Sequence, residues 1–466
     1  MDLRKVEEIV KDSKGGIIEK KDAIMSTLLN NNSNSNNDSP EASSSSGREG
    51  GGVNIHGDPT TTSPAATTII DSASALQLFL DHIPISSIPG IHNSPSTVAV
   101  VRTQDSVKSG IRRLYENNAS GALIVDNTEP DPTKMLTTSF SHPYVGFISF
   151  SNMVLWSLQE YKKHQSGIKK DHALKKIKPD GFFSMLDRIP VSSEAKIGEL
   201  AASFLWNPVF PVKPDQTIFH VLLLLSKHRL SVVPVTEHSS SKVVGYVTED
   251  SINHILLQSS GLEWFDSIAD KPLSDFRFEY NNQIVSVYND QSIAEAVHML
   301  WTNKVCAIAV EQRHTQKLIG CLRYSDVHRL LDDDSIFSVK EDTSIEQFIH
   351  RHTDLDRHDA NHELGALISA GTLALHNKFE PRMDSPVTNT ETDTLKQVMT
   401  NLSEKKSNFS FLVDGCGKVE GMITIRDILM EFAPPSMDSR IDGGGFFDTA
   451  LKESGCIIRD GTMVHL

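Results

Sequence analysis

The chain has 466 residues and carries 45 Lys plus Arg against 60 Asp plus Glu, a formal net charge of −15. That length allows about three domains, but a hydrophobic content of 38% predicts that part of the chain stays unfolded. The acidic balance excludes a general nucleic-acid binder, no apolar run nears the ~18 residues that cross a bilayer, and four cysteines without a CxxC spacing fit a reducing compartment.

From Asn31 to Ser46, twelve of sixteen residues are Asn or Ser, followed by Gly-rich and Thr-rich stretches up to Thr68. Such a segment buries too little apolar surface to offset its ordering entropy, so residues 1–68 are expected to be a disordered head. A folded pattern starts near Asp71, where Leu76, Leu78, Phe79 and Leu80 predict a helix that Pro84 and Pro89 end.

One unit then recurs four times: an Asp/Ser/Thr cluster, an amphipathic helix, an apolar strand, a gap, a second strand beginning with Gly, and another helix. The helix caps are Ser106, Thr217, Ser292 and Thr394. The first strands read Ala122–Val125, Val232–Val235, Ala307–Val310 and Phe411–Val413; such continuous apolar runs suit strands buried on both faces. The glycines are Gly146, Gly245, Gly320 and Gly421, lying 40, 28, 28 and 27 residues after their caps. A Pro/Thr/Ser-rich insertion, Asn127 to Pro143, accounts for the longer first spacing.

At Gly421-Met422-Ile423-Thr424-Ile425-Arg426-Asp427 the unit fits G-h-h-T-x-x-D, with h apolar. With the capped helix and apolar strand before it, this resembles the cystathionine-β-synthase (CBS) domain. Four copies in one chain resemble the gamma subunit of AMP-activated protein kinase and its plant gamma-like relatives. The resemblance implies a mixed α/β (α+β) fold, four β-α-β-β-α units paired into two tandem modules. It divides the chain into a head (1–68), repeat one with the leading helix (71–165), repeat two (200–260), repeat three (279–333), a linker (334–382), repeat four (383–433) and a flexible tail (434–466).

No G-x-S-x-G, H-E-x-x-H or Gly-rich phosphate loop occurs, so no catalysis is expected. His350, His352, His358 and His362, interspersed with Asp354, Asp356 and Asp359, predict a polar linker helix, and no metal site is expected. A binding chemistry fits better. An ionised Asp at the start of the last helix can accept both hydroxyls of a ribose, and the strand-end Thr with helix N-terminal amides favours phosphate.

In related gamma subunits this Asp contacts ribose. Carried over residue by residue, repeat four keeps Thr424 and Asp427, with Thr388 beside the base. Repeat three keeps Asp326 but has Arg323 in place of Thr. Repeat two keeps Thr248 but has Ser251 at the Asp position, and repeat one has Ser149 and Asn152. His228 and Arg229 resemble the family's phosphate-contacting pair. The resemblance implies AMP, ADP or ATP as regulatory ligands with no required cofactor. It also implies a kinase catalytic subunit and a beta-type scaffold as partners, without nucleic acid or membrane, in the cytoplasm or nucleus rather than secreted. The alternative is an adaptor that binds proteins without nucleotide.

Overall fold

A computed structural model describes residues 72–88, 91, 99–125, 144–167, 179–189, 195–202, 209–227, 230–238, 242–278, 284–351, 373–376 and 381–433, and the backbone of 456–459 and 462–465. The head expected over 1–68, the inserted loop at 127–143 and most of the 434–466 tail lie outside the described residues. Mixed helix and strand content divides into four small sheets, one per repeat, and a separate C-terminal hairpin of Cys456–Arg459 and Thr462–His465.

Each repeat builds its sheet in the same way. In repeat one, β1 (Val100–Arg102) runs parallel to β2 (Gly121–Val125), which is antiparallel to β3 (Tyr144–Ser149). Repeat two pairs β4 (Val232–Thr236) with β5 (Val243–Thr248), and Val212 bridges Val235 in the place of a first strand. Repeat three has β6 (Ser286–Tyr288), β7 (Ala307–Glu311) and β8 (Leu318–Arg323). Repeat four has β9 (Thr388–Asn389), β10 (Phe409–Val413) and β11 (Val419–Thr424). The antiparallel pairs share one irregularity: register slips at Ile124/Val125, Val235/Thr236, Val310/Glu311 and Leu412/Val413. A bulge conserved in position bends each pair alike.

Three of the four predicted caps form where the sequence places them. Ser106 accepts from the Ser109 amide, and Ser292 and Thr394 close reciprocal capping boxes with Glu295 and Gln397. Thr217 donates its hydroxyl to Asp81 Oδ1 at 3.1 Å, tying repeat two to the leading helix Ser72–Asp81. Gly320 is required by close approach: a Cβ there would sit 2.8 Å from the Met383 carbonyl oxygen and 2.4 Å from Ile349 Cδ1.

The repeats associate through two kinds of surface. Sheet faces pair within a module: Leu123 and Phe147 of repeat one pack on Val243 and Tyr246 of repeat two, while Ala307, Ala309 and Cys321 of repeat three meet Phe409 and Phe411 of repeat four. Helices pack across modules, in one core shared by repeats two and four and a second shared by repeats one and three. Continuous apolar strands have both faces to cover, and two layers of helices on paired sheets cover them.

Segments upstream of the repeats are exchanged inside each module. The leading helix, grouped by the sequence with repeat one, packs instead on repeat two: Ile85 N–H donates to Gln216 O and Ile218 N–H to Ile83 O. Segment 195–202, upstream of repeat two, pairs with repeat one through Ser106 and Lys196. The second module repeats the exchange, with Pro272 against Thr394 and Ser344 against Ser292. The physical cause is local. The backbone just before each capped helix has free edges, and the neighbouring repeat's leader satisfies them.

Candidate functional site

The helix after each second strand starts at the module centre, and its first turn carries the polar residues singled out in sequence. In repeat four, the helix Ile425–Phe432 opens with a capping box. The Thr424 amide and hydroxyl donate to Asp427 Oδ2 at 2.8 and 2.7 Å, and the Asp427 amide returns a bond to Thr424 Oγ1 at 3.3 Å. One carboxylate oxygen is thereby committed to the cap. Among the described residues, the other accepts no hydrogen bond from the protein, and Asp427 is only half-buried. Thr388 is exposed on β9, paired in register with Phe411.

Repeat two contributes the facing wall. Thr248 caps the helix Glu249–Leu257, accepting from the Ser251 amide at 3.4 Å. Burial pushes the Glu249 carboxyl up to about 7, with Arg426 opposing and Asp427 adding to the rise. Burial also raises Asp250, against the pull of Lys406. The Cys306 thiol of repeat three keeps solvent access, yet burial pushes it up to about 11 and the carboxylates of Glu249 and Asp427 add to the shift. The Glu249 and Asp427 carboxylates both act on Cys306, so the first helical turns of repeats two and four lie close to the strand entrance of repeat three.

Arg426 ties repeat four to repeat two. Its Nε and Nη2 donate to the Ser226 carbonyl at 3.3 and 3.4 Å, at the C-terminal end of the helix Ile218–Lys227. His228 and Arg229 lie outside the described residues, but Lys227 immediately before them feels the field of Glu431 in repeat four. The chain leading into the pair therefore runs beside the helix that bears Asp427.

Asp326 behaves differently. Arg323, standing where repeat four has Thr424, donates Nε to Asp326 Oδ2 at 2.9 Å and Nη2 to Oδ1 at 2.5 Å. Asp326 is 0% exposed and Arg323 6%. Burial alone would raise the carboxyl, but the Arg323 guanidinium, with Arg329 beyond it, holds it below the usual carboxylate range. Both oxygens face protein cations, so this carboxylate is closed to a ligand. The structure thus sets the Thr424–Asp427 turn near the Thr248–Glu249 turn and closes Asp326 within its own ion pair. Sequence reasoning passed over Glu249, Arg426 and Cys306. Their only signal was adjacency to the motif positions, because the contacts that matter join different repeats.

No helix among the described residues is long and apolar enough to cross a membrane. The CBS domain family model matches residues 198–258 and 383–434, within repeats two and four. The chain is 28% identical over 414 residues to the SNF1-related protein kinase regulatory subunit gamma-1-like of Arabidopsis thaliana, covering 76% of this chain and 86% of the relative. It is 23% identical to regulatory subunit gamma-1 of the same plant, covering 76% and 82%. Among solved structures, a Methanocaldococcus jannaschii protein proposed as an archaeal homologue of that kinase family's gamma subunit superposes with a TM-score of 0.43 at 14% identity, covering 74% of this chain and 98% of that one. Repeats two and four thus carry the CBS-domain matches, and the chain is similar over three quarters of its length to proteins named gamma regulatory subunits of SNF1-related kinases.

Proposed function

We propose that the chain is a non-catalytic, gamma-like regulatory subunit of a SNF1-related or AMP-activated-type kinase complex, and that it binds adenine nucleotides in the cleft at repeat four. The observation that carries this is the half-satisfied Asp427 carboxylate. One oxygen is held by Thr424, and among the described residues the other accepts no hydrogen bond from the protein. A fixed, ionised acceptor is what a ribose diol requires. Thr388 supplies polar contact for the base, and His228 and Arg229, a few residues beyond the Ser226 carbonyl held by Arg426, supply positive charge for phosphates. The similarity to plant proteins named regulatory gamma subunits supports a catalytic kinase subunit and a beta-type scaffold as partners.

A nucleotide regulates such a complex only if it binds one arrangement of the subunits better than another. Glu249 of repeat two and Cys306 of repeat three both feel Asp427 of repeat four, so a ligand held by Asp427 would sit near both modules and could favour one packing of them. Calorimetric titration of the full chain with AMP, ADP and ATP tests the proposal. Saturable binding of at least one adenylate is expected. Absence of binding by all three would leave the protein-binding adaptor as the function of these repeats.

A further inference from the structure

Outside that cleft, three side chains converge where repeat three meets the segment 373–376. One ligand-type atom from each of His328, Asp332 and His376 lies within 4.8 Å of the others. His328 Nδ1 is 2.7 Å from the Ser325 carbonyl oxygen. A carbonyl only accepts, so Nδ1 carries the proton, and Nε2 of the neutral ring is a lone pair, 3.7 Å from Asp332 Oδ2. His376 has the same arrangement, with Nδ1 2.8 Å from Asn118 Oδ1 and Nε2 3.0 Å from Asp332 Oδ1. The Asn118 amide is fixed in this orientation because the His376 backbone N–H donates to the same Oδ1 at 2.7 Å.

Two imidazole lone pairs thus face one carboxylate. That arrangement requires a cation between them, either a proton on one ring or a metal ion. We propose that His328, Asp332 and His376 bind a divalent transition-metal ion of the zinc type. Donors held at 2.0–2.1 Å on a tetrahedral ion stand about 3.3 Å apart; His376 Nε2 is 3.0 Å from Asp332 Oδ1, His328 Nε2 is 3.7 Å from Oδ2, and with one donor atom per residue the set lies within 4.8 Å, so a small inward shift would close it on an ion. Each ligand already has an outer partner to orient it: the Ser325 carbonyl, the Asn118 amide, and the Tyr115 hydroxyl, which donates to Asp332 Oδ1 at 2.8 Å. Two imidazoles with one carboxylate suit zinc better than calcium or magnesium, which take oxygen ligands. Three protein ligands leave a fourth position for water.

The ion has a structural consequence. His328 and Asp332 belong to repeat three, whereas segment 373–376 is tied to repeat one by Ser120 N–H to Leu373 O and Leu375 N–H to Asn118 O. Metal binding would clamp the two repeats together. The sequence conceals the set because His376 stands 44 residues beyond Asp332.

The test is equilibrium dialysis of the chelator-stripped full chain against zinc alone, with thermal denaturation of the same samples. The parent is expected to hold one more zinc per chain than His376→Ala, and zinc is expected to raise the parent's Tm but not the variant's. Asn118→Ala keeps all three ligands but loses both bonds that orient His376, to its ring and to its backbone N–H, so its affinity should fall about 10–100-fold. His376→Gln, which retains hydrogen bonding, guards against misfolding of the alanine variant. Equal zinc content and equal Tm response in the parent and in the folded His376 variant would overturn the proposal and leave a protonated His376 paired with Asp332.

Discussion

Repeats three and four place an aspartate at the same point, three residues into the turn after the second strand, and use it in opposite ways. In repeat four, Thr424 occupies one oxygen of half-buried Asp427, and the other accepts no hydrogen bond among the described residues. In repeat three, Arg323 reaches both oxygens of Asp326 and the pair is buried. The residue three positions before the aspartate decides whether the carboxylate is a ligand-type acceptor or part of the core. A family motif at a position is thus not sufficient for a site.

The largest effect that would break this contrast is on stability. Arg323→Ala would leave a buried carboxylate with Arg329 alone nearby and should destabilise the fold by about 3–5 kcal/mol, read from denaturant unfolding. A change under 1 kcal/mol would mean that the pair contributes little in place. Next comes affinity. Asp427→Asn retains an oxygen for the Thr424 cap but presents an amide to the cleft, and losing charged hydrogen bonds of ~1.5–3 kcal/mol corresponds to about 10- to 150-fold weaker adenylate binding. Thr424→Ala removes the cap donor and acceptor together, and thermal melts should show a loss of about 1 kcal/mol.

A separate effect is a pH slope. Glu249 has its folded pKa raised from 4.5 to about 7, so the folded state holds a proton that the unfolded state releases. Stability from this group is complete below pH 4.5 and declines as pH rises toward 7. Glu249→Gln should therefore gain stability relative to the parent across that window, measured as a difference in midpoint at pH 4.5 and pH 7. A pH-independent difference would remove Glu249 from the desolvated wall.

The repeat architecture was legible because it rests on local rules. Caps at Ser106, Ser292 and Thr394, and apolar runs at Ala122–Val125 and Ala307–Val310, specify helix starts and two-sided strands within a few residues. Exchange of the upstream segments was not legible, since the edge beside Thr217 does not encode which leader fills it. The same limit hid the Arg323 pairing. An arginine in a threonine position reads as a lost ligand, and only the packed structure shows it saturating the neighbouring carboxylate. Glu249, Arg426 and Cys306 meet through tertiary contacts between repeats, which no local pattern records.

Calorimetric titration of AMP into the parent and into Asp427→Asn, with both shown to melt at the same temperature, tests the contrast most directly. The account predicts saturable binding to the parent, weakened about 10- to 150-fold in the variant without loss of stability. Equal affinity in two equally stable proteins would contradict it.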